Sequence, residues 1–155
     1  MINEYTMLES LGEGSYGKVK SCRVGNVMFA MKIFHKGILR RKKEFIKNPN
    51  GGMAFKTALD DVENEIEVMR KINHPNCLKL HKVLDDDEED KLYMLLDYAA
   101  NGTIMEWDPD RELFYNNRLG TRDFSEDEIR GYLRDMLKGL NYLHNTGILH
   151  RDIKP

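Results

Sequence analysis

Three glycines, at positions 12, 14 and 17, lie between two β-strand-like runs, and this arrangement constrains the fold more than any other feature of the chain. The runs cover residues 5–11 and 18–24, and Gly25-Asn26 then leads into a third run over residues 27–33. Such punctuation predicts three antiparallel strands. Because glycine has no side chain, the backbone N–H groups of the first turn can approach a phosphate closely. The segment therefore predicts a phosphate-binding loop.

The same glycine spacing could instead open a dinucleotide-binding unit. That unit needs a helix after the last glycine and an acidic residue about 20 positions further on. Here a strand-like run follows Gly17, and the residue 20 positions after Gly12 is Lys32. The sequence therefore favours a hairpin loop that covers phosphates over a dinucleotide-binding turn.

Lys32, in the third strand, is a candidate phosphate ligand. A lone strand lysine is usually an exposed surface residue, but a predicted helix follows it. The helix is indicated by apolar residues at spacings of three and four, namely Leu59, Val62, Ile66, Met69 and Ile72. Glu65 lies among them, and a carboxylate near the inner face of a helix requires a cationic partner. We therefore expect Lys32 and Glu65 to form an ion pair.

The middle of the chain predicts an insertion, two more strands and a long helix. Residues 35–57 are rich in Lys and Arg and indicate an exposed basic insertion. Strands are predicted over residues 78–84 and 92–96, and the acidic run 85–90 between them is typical of a solvated turn. Ser125 and Glu128 form a capping box that begins a helix ending at Gly147. The apolar face of that helix consists of Ile129, Tyr132, Leu133, Met136, Leu137, Leu140 and Leu143.

The segment His150-Arg-Asp-Ile-Lys154 follows that helix and completes the candidate site. Asp152 is suited to accept the proton of an attacking hydroxyl, while Lys154 is suited to steady a transferring phosphoryl group. In isolation, the triplet His-Arg-Asp would be a turn with a capping aspartate. Three elements in the expected order and context make chance agreement improbable.

Composition sets the remaining limits. The 155 residues carry a formal charge of −2, which gives no general attraction to nucleic acid or to an anionic membrane, so neither is predicted as a partner. Cys22 and Cys77 are far apart and predict neither a disulfide nor a metal site. The N-terminus has no signal-peptide pattern, and no apolar run is long enough for a bilayer. We expect a cytoplasmic protein, with the nucleus also possible.

These motifs together resemble the eukaryotic protein kinase family of the serine/threonine type, because Lys154 stands two residues after Asp152. The resemblance covers essentially the whole chain and implies an α+β fold. Residues 1–100 would form a kinase-like N-terminal lobe, with a five-stranded antiparallel sheet, one helix and a hinge at 97–100. Residues 101–155 would begin an incomplete C-terminal lobe with its first long helix.

The resemblance also implies roles for individual residues around ATP. Arg151 would be regulatory, Leu96 would be the gatekeeper, and the backbone of residues 97–99 would bind adenine. Lys32, Glu65, Asp152 and Lys154 would be the catalytic residues. The implied ATP-binding residues are Leu11, Gly12, Glu13, Gly14, Ser15, Tyr16, Gly17, Val19, Ala30, Lys32, Leu96, Asp97 and Ala99.

Within the family, the sequence resembles the calcium/calmodulin-dependent protein kinase kinases. The resemblance lies in residues 58–62, 65–66, 73–76 and 92–94 and in the long insertion after the third strand. It implies a protein substrate or a downstream kinase as partner, whereas no segment here supports a calmodulin-type regulator. The insertion is Lys/Arg-rich with Pro49 as its single proline, and both substrate recognition and a tolerated surface loop remain open for it.

The family's magnesium ligands would follow Pro155, and so would the activation loop. We therefore expect residues 1–155 by themselves to be inactive in phosphoryl transfer, since metal ions neutralise the developing charge. The apolar face of the long helix would also lack packing partners, which predicts aggregation or a need for a partner. Alternatives to the enzyme are a non-catalytic, kinase-like binding module or truncated fragment that acts through protein partners, and a nucleotide-binding relic.

Overall fold

A computed structural model of the chain describes residues 2–14, 17–47, 53–116 and 123–153. These residues divide into two compact units, one formed by Met1–Asn73 and Leu78–Tyr98, the other by His74–Cys77 and Ala99–Pro155. The strands are β1 (Thr6–Gly14), β2 (Gly17–Val24), β3 (Val27–His35), β4 (Lys43–Lys47), β5 (Met53–Thr57), β6 (Leu80–Asp85), β7 (Lys91–Asp97), β8 (Glu106–Asp108) and β9 (Leu113–Tyr115). The helices are α1 (Lys36–Arg41), α2 (Ala58–Lys71) and α3 (Glu126–Asn145).

The first unit is built on a five-stranded antiparallel sheet with the strand order β1-β2-β3-β7-β6. Strands β2 and β3 pair without a register shift from Gly17 opposite Phe34 to Val24 opposite Val27. The predicted five-stranded sheet and its accompanying helix are confirmed. The central position of β3 places Lys32 in the middle of the sheet, between β2 and β7.

The two faces of this sheet carry separate apolar clusters, because successive strand residues point to opposite sides. The face that packs against α2 includes Phe34, Leu92 and Met94, which are almost fully buried. The opposite face is formed around Cys22 and Met31, which are fully buried. The two neighbours of Lys32, Met31 and Ile33, both belong to the face away from α2. Lys32 therefore shares the α2-facing side with Phe34.

Helix α2 confirms the predicted amphipathic helix. Thr57 caps its N-terminus, because the backbone N–H of Asp60 donates to Thr57 Oγ1 at 3.3 Å and the Thr57 N–H donates to Asp60 Oδ2 at 2.6 Å. The apolar residues Leu59, Val62 and Ile66 are buried against the sheet. This packing fixes which side of the helix faces β3, and it therefore positions Glu65.

The basic insertion is partly buried, which differs from the prediction of an exposed segment. Within α1, Lys36 is 4% exposed and Leu39 is fully buried. Leu39 joins the apolar cluster under α2, which removes its side chain from water. The rest of the insertion forms the hairpin of β4 and β5, with Phe45 opposite Phe55.

The acidic turn at 85–90 is exposed, yet it binds the start of the insertion. The Nζ atom of Lys36 donates to Asp85 Oδ1 at 2.8 Å and to the carbonyl oxygen of Asp86 at 2.6 Å. The backbone N–H of Gly37 donates to Asp90 Oδ1 at 2.6 Å. A solvated turn was predicted, but a buried ammonium requires such partners. The turn therefore anchors the junction between β3 and α1.

The second unit contains the short hairpin of β8 and β9 and the long helix α3. The predicted capping box is present, because the Glu128 N–H donates to Ser125 Oγ at 3.3 Å and the Ser125 N–H donates to Glu128 Oε2 at 2.8 Å. Helix α3 ends before Gly147, whose φ of 77° suits glycine. Leu143 is buried, while Leu137 is 60% exposed. Across the described ranges, none of the helices is both long enough and apolar enough to cross a membrane.

Candidate nucleotide site

The predicted ion pair between Lys32 and Glu65 is present in the structure. The distance from Lys32 Nζ to Glu65 Oε1 is 2.9 Å, and the side chains are 31% and 42% exposed. The Lys32 ammonium also lies 5.0 Å from the centre of the Phe34 ring. Because α2 holds the carboxylate, the ammonium is fixed on the inner face of the sheet while it still reaches solvent. A fixed, accessible ammonium can bind a phosphate oxygen.

The glycine-rich segment continues the antiparallel pairing of β1 and β2 up to Gly14 opposite Gly17. A Cβ atom on Gly17 would lie 2.0 Å from the carbonyl oxygen of Ile33, so close packing on β3 requires glycine there. A Cβ atom on Gly12 would meet no atom within 4 Å. Packing therefore explains Gly17 only, and the absent side chain at position 12 leaves open space for a ligand.

The glycine-rich segment contains four more predicted ATP-binding residues, and none of them is seen beside the inner apolar cluster among the residues that the structure describes. Leu11 is 45% exposed and does not belong to the apolar cluster of the inner sheet face. Glu13 forms an ion pair with Lys18 at 3.2 Å across the hairpin. Ser15 and Tyr16 lie outside the described residues.

Three of the predicted ATP-binding residues come together on the inner face of the sheet. Ala30 and Leu96 are Cα partners across β3 and β7, and both are less than 10% exposed. Val19, partly buried, packs against the same apolar cluster and stands opposite Lys32 in the pairing of β2 with β3. A cluster of apolar side chains therefore adjoins the charged pair, and this arrangement suits a ligand with a flat apolar ring and a polyanionic tail.

The side chain of Asp97 forms hydrogen bonds with β6 and with the residue just before it. Its Oδ2 accepts from the Lys79 N–H at 3.0 Å, and its Oδ1 lies 2.6 Å from His81 Nε2. Burial by itself would raise the pKa of Asp97, but the hydrogen bonds from His81 and from the Lys79 backbone outweigh it and hold the pKa below its usual value. The carboxylate thus fixes the end of β7.

The remaining candidates belong to the second unit. Ala99 and Asp152 are both exposed. The Asp152 N–H donates to His150 Nδ1 at 3.3 Å, and Arg151 between them has a φ of 64°, in the left-handed region. A non-glycine residue in that region costs free energy, and such residues cluster at functional sites. Lys154 lies outside the described residues.

Two contributors to the site were missed by the sequence reasoning. Thr57 caps the helix that carries Glu65, and its spacing to Asp60 resembles a capping box, a signal that the sequence does contain. His81 binds Asp97 across neighbouring strands, and nothing in the local pattern indicates that contact. In the described ranges, no group of three or more His, Cys, Asp or Glu residues is arranged to hold a metal ion.

Comparison with known proteins identifies the family. Residues 5–155 match the protein kinase domain, so the chain belongs to the protein kinase family. It is 36% identical to a probable serine/threonine-protein kinase of Dictyostelium discoideum over all of the chain and 20% of that protein.

Two further relatives cover 99% of the chain. One is a calcium/calmodulin-dependent protein kinase kinase of Caenorhabditis elegans, 34% identical over 28% of its length. The other is a serine/threonine-protein kinase of Schizosaccharomyces pombe, 36% identical over 21% of its length. The chain thus spans between a fifth and a third of the length of these curated relatives.

Proposed function

We propose that this chain is the ATP-binding part of a protein serine/threonine kinase, which transfers the γ-phosphate of ATP to serine or threonine hydroxyls of proteins. The observation that carries the proposal is the 2.9 Å ion pair between Lys32 and Glu65 beside an apolar surface. Its relatives, described as serine/threonine-protein kinases, support this choice. A downstream kinase is the proposed kind of substrate, on the similarity to a calcium/calmodulin-dependent protein kinase kinase.

Each of the proposed site residues would have one task. Val19, Ala30 and Leu96 would enclose the adenine ring, and the open space at Gly12 would admit the phosphates. The Lys32 ammonium would bind phosphate oxygens, and Glu65 would hold it in place. When bound, Mg²⁺ would supply charge neutralisation of the phosphates. Asp152 would accept the proton of the attacking hydroxyl.

For a polypeptide of residues 1–155 only, we propose ATP binding without efficient transfer. The family's two magnesium ligands follow the catalytic-loop lysine and are not among these residues. A non-catalytic, kinase-like binding module remains the alternative function, and it would bind protein partners through its helices. The free thiols of Cys22 and Cys77 support the proposed cytoplasmic or nuclear location.

Thermal unfolding of the chain with added ATP, with and without magnesium, tests the nucleotide site. Lys32→Met should abolish the rise in the unfolding midpoint. Lys20→Met is the matched control, because residue 20 lies on β2 with its side chain on the sheet face opposite α2. An equal rise in wild type and Lys32→Met would refute the phosphate-site assignment.

Phosphate transfer is measured separately, with labelled ATP and a generic protein substrate. Residues 1–155 and the Lys32→Met variant should give the same background signal. If residues 1–155 transfer phosphate in a Lys32-dependent way, the proposed inactivity of this segment is wrong. If they bind no ATP, the non-catalytic module is favoured instead.

A further inference from the structure

The hairpin of β4 and β5 presents an unusually apolar face to solvent. Phe45, Met53 and Phe55 are 75%, 77% and 60% exposed. Phe45 and Phe55 are paired across the strands with ring centres 6.5 Å apart, and Met53 is two residues from Phe55 on the same side of the strand. Three large apolar side chains on one face of a hairpin mark an interaction surface.

The opposite face of the hairpin is held by the body of the first unit. Lys56 forms an ion pair with Asp61 of α2 and stands opposite Glu44 in the strand pairing. The Ala58 N–H also donates to the Lys42 carbonyl oxygen at 3.0 Å, which closes the base of the hairpin. Residues alternate between faces along a strand, so Phe45 and Phe55 point away from the side that binds α2.

A run of basic residues leads into β4, and one of them lies beside this apolar face. Arg40, Arg41, Lys42 and Lys43 are consecutive and exposed. The Lys43 ammonium lies 4.9 Å from the centre of the Phe55 ring, which places a cation beside the apolar cluster. Within the described residues, Arg40, Arg41 and Lys43 form no ion pair with an acidic side chain. Their charge is therefore available to an anionic partner.

We propose that this hairpin docks the protein on an anionic lipid bilayer, with Phe45, Met53 and Phe55 entering the interface and the basic residues binding lipid headgroups. Aromatic and apolar side chains bordered by Lys and Arg are suited to that boundary. The apolar side chains protrude instead of lining a recess. A protrusion fits a bilayer better than it fits an acidic peptide, which needs a groove.

This inference goes beyond phosphate transfer and does not depend on it. Co-sedimentation of the full chain with vesicles is the first test. Binding is expected to vesicles that contain phosphatidylserine and not to pure phosphatidylcholine. It should weaken strongly at about 1 M salt, where the screening length is about 3 Å.

Two sets of variants locate the binding surface. The triple variant Arg40→Gln, Arg41→Gln, Lys43→Gln should bind about 100-fold more weakly, since each basic residue contributes about 1 kcal/mol near such a surface. The matched control removes three exposed basic residues of α3, through Arg130→Gln, Arg134→Gln and Lys138→Gln. The control should bind normally. Equal losses in the two variants would overturn the proposal.

A tryptophan probe tests insertion without removing the aromatic pair. The chain has one tryptophan, Trp107 in β8, so Trp107→Phe provides a silent background. In that background, Phe55→Trp should shift its emission to the blue on phosphatidylserine vesicles and be quenched by brominated lipid. Emission that stays unchanged while the protein sediments with the vesicles would refute insertion of the hairpin.

Competition experiments distinguish binding to a bilayer from binding to other polyanions. Polyglutamate and a single-stranded oligonucleotide are each added at the same charge concentration as the vesicles. The proposal expects neither to shift the tryptophan emission. If either polymer binds through the hairpin while vesicles do not, the surface serves an acidic protein or a nucleic acid, and the proposal is wrong.

Discussion

The ammonium of Lys32 lies 2.9 Å from the carboxylate of Glu65, although 33 positions separate the two residues in the chain. The strand carrying one residue is central in the sheet, and the helix carrying the other packs on it through Val62 and Ile66. Because both side chains are about one-third exposed or more, water screens their attraction. The pair is therefore better suited to positioning a cation than to stabilising the fold.

The first prediction concerns the energy of this pair. A double-mutant cycle with Lys32→Met and Glu65→Gln should give a coupling free energy below about 1 kcal/mol in urea unfolding, because the pair is partly exposed. Both single variants should nevertheless weaken ATP binding. A coupling of several kcal/mol would show that the pair is mainly structural.

The second prediction separates two glycines of the loop. Gly17→Ala should lower the free energy of unfolding by about 1–3 kcal/mol, because its Cβ would overlap the Ile33 carbonyl oxygen. Gly12→Ala should leave the stability almost unchanged, since its Cβ meets open space, but should weaken ATP binding. Urea unfolding and ATP titration of both variants provide the measurement. The reverse pattern would contradict the assignment of open space at Gly12 to a ligand.

The third prediction links a helix cap to the site. Thr57→Ala should cost about 1 kcal/mol of stability, because it removes a capping acceptor of α2, and should also weaken ATP binding by loosening Glu65. Ser125→Ala is the matched control, since it removes the equivalent cap from α3. It should cost a similar amount of stability without the same loss of ATP binding. Identical ATP affinities for the two variants would disprove the link through α2.

The fourth prediction is a pH dependence at Asp97. Its pKa is lowered on folding from 3.8, so its contribution to stability is present above about pH 3.8 and is lost as the pH falls through the lower folded pKa. The stability difference between wild type and Asp97→Asn should therefore shrink as the solution is acidified below about pH 4. His81→Gln, which removes one partner, should reduce the same effect. Unfolding curves that keep a constant difference down to about pH 2.5, well below the ordinary pKa of an aspartate, would exclude this contribution.

The fifth prediction concerns the buried Lys36. Lys36→Ala should lower the free energy of unfolding by about 2 kcal/mol, because it removes charged hydrogen bonds to Asp85 and to the Asp86 carbonyl. Arg40→Ala, at an exposed position of the same helix, should change it by less than about 0.5 kcal/mol. Trypsin should also cleave the insertion faster in the Lys36 variant. Equal stability of the two variants would show that the contact at Asp85 is weak.

Periodicity and punctuation were sufficient to predict the five strands, α2 and α3, because apolar spacing reports directly on the buried face. The assembly of those strands into one sheet was implied by the resemblance to protein kinases. The sequence pattern also indicated the pairing of Lys32 with Glu65, since a carboxylate among apolar helix positions needs a partner. The burial of Lys36 was not predictable, because its partners lie about 50 positions away and a local run of basic residues is typical of a solvated segment.

The exposed apolar face of the hairpin of β4 and β5 was not predicted from the sequence, for a related reason. The net charge of −2 averages the acidic turn with the basic insertion, so composition predicted no membrane partner. Only the strand register places Phe45 opposite Phe55 and beside Lys43. The short hairpin of β8 and β9 was also unpredicted, because three-residue strands are too brief to show a period.

Because the acidic turn anchors Lys36 and Gly37, the chain tolerates added residues in the basic insertion. The basic insertion is anchored at one end by hydrogen bonds to Asp85 and Asp90. At its other end, the Ala58 N–H donates a hydrogen bond to the Lys42 carbonyl oxygen. The hairpin of β4 and β5 therefore extends from an anchored base, so that spacers or epitope tags inserted between these two strands leave the strand of Lys32 and the helix of Glu65 undisturbed.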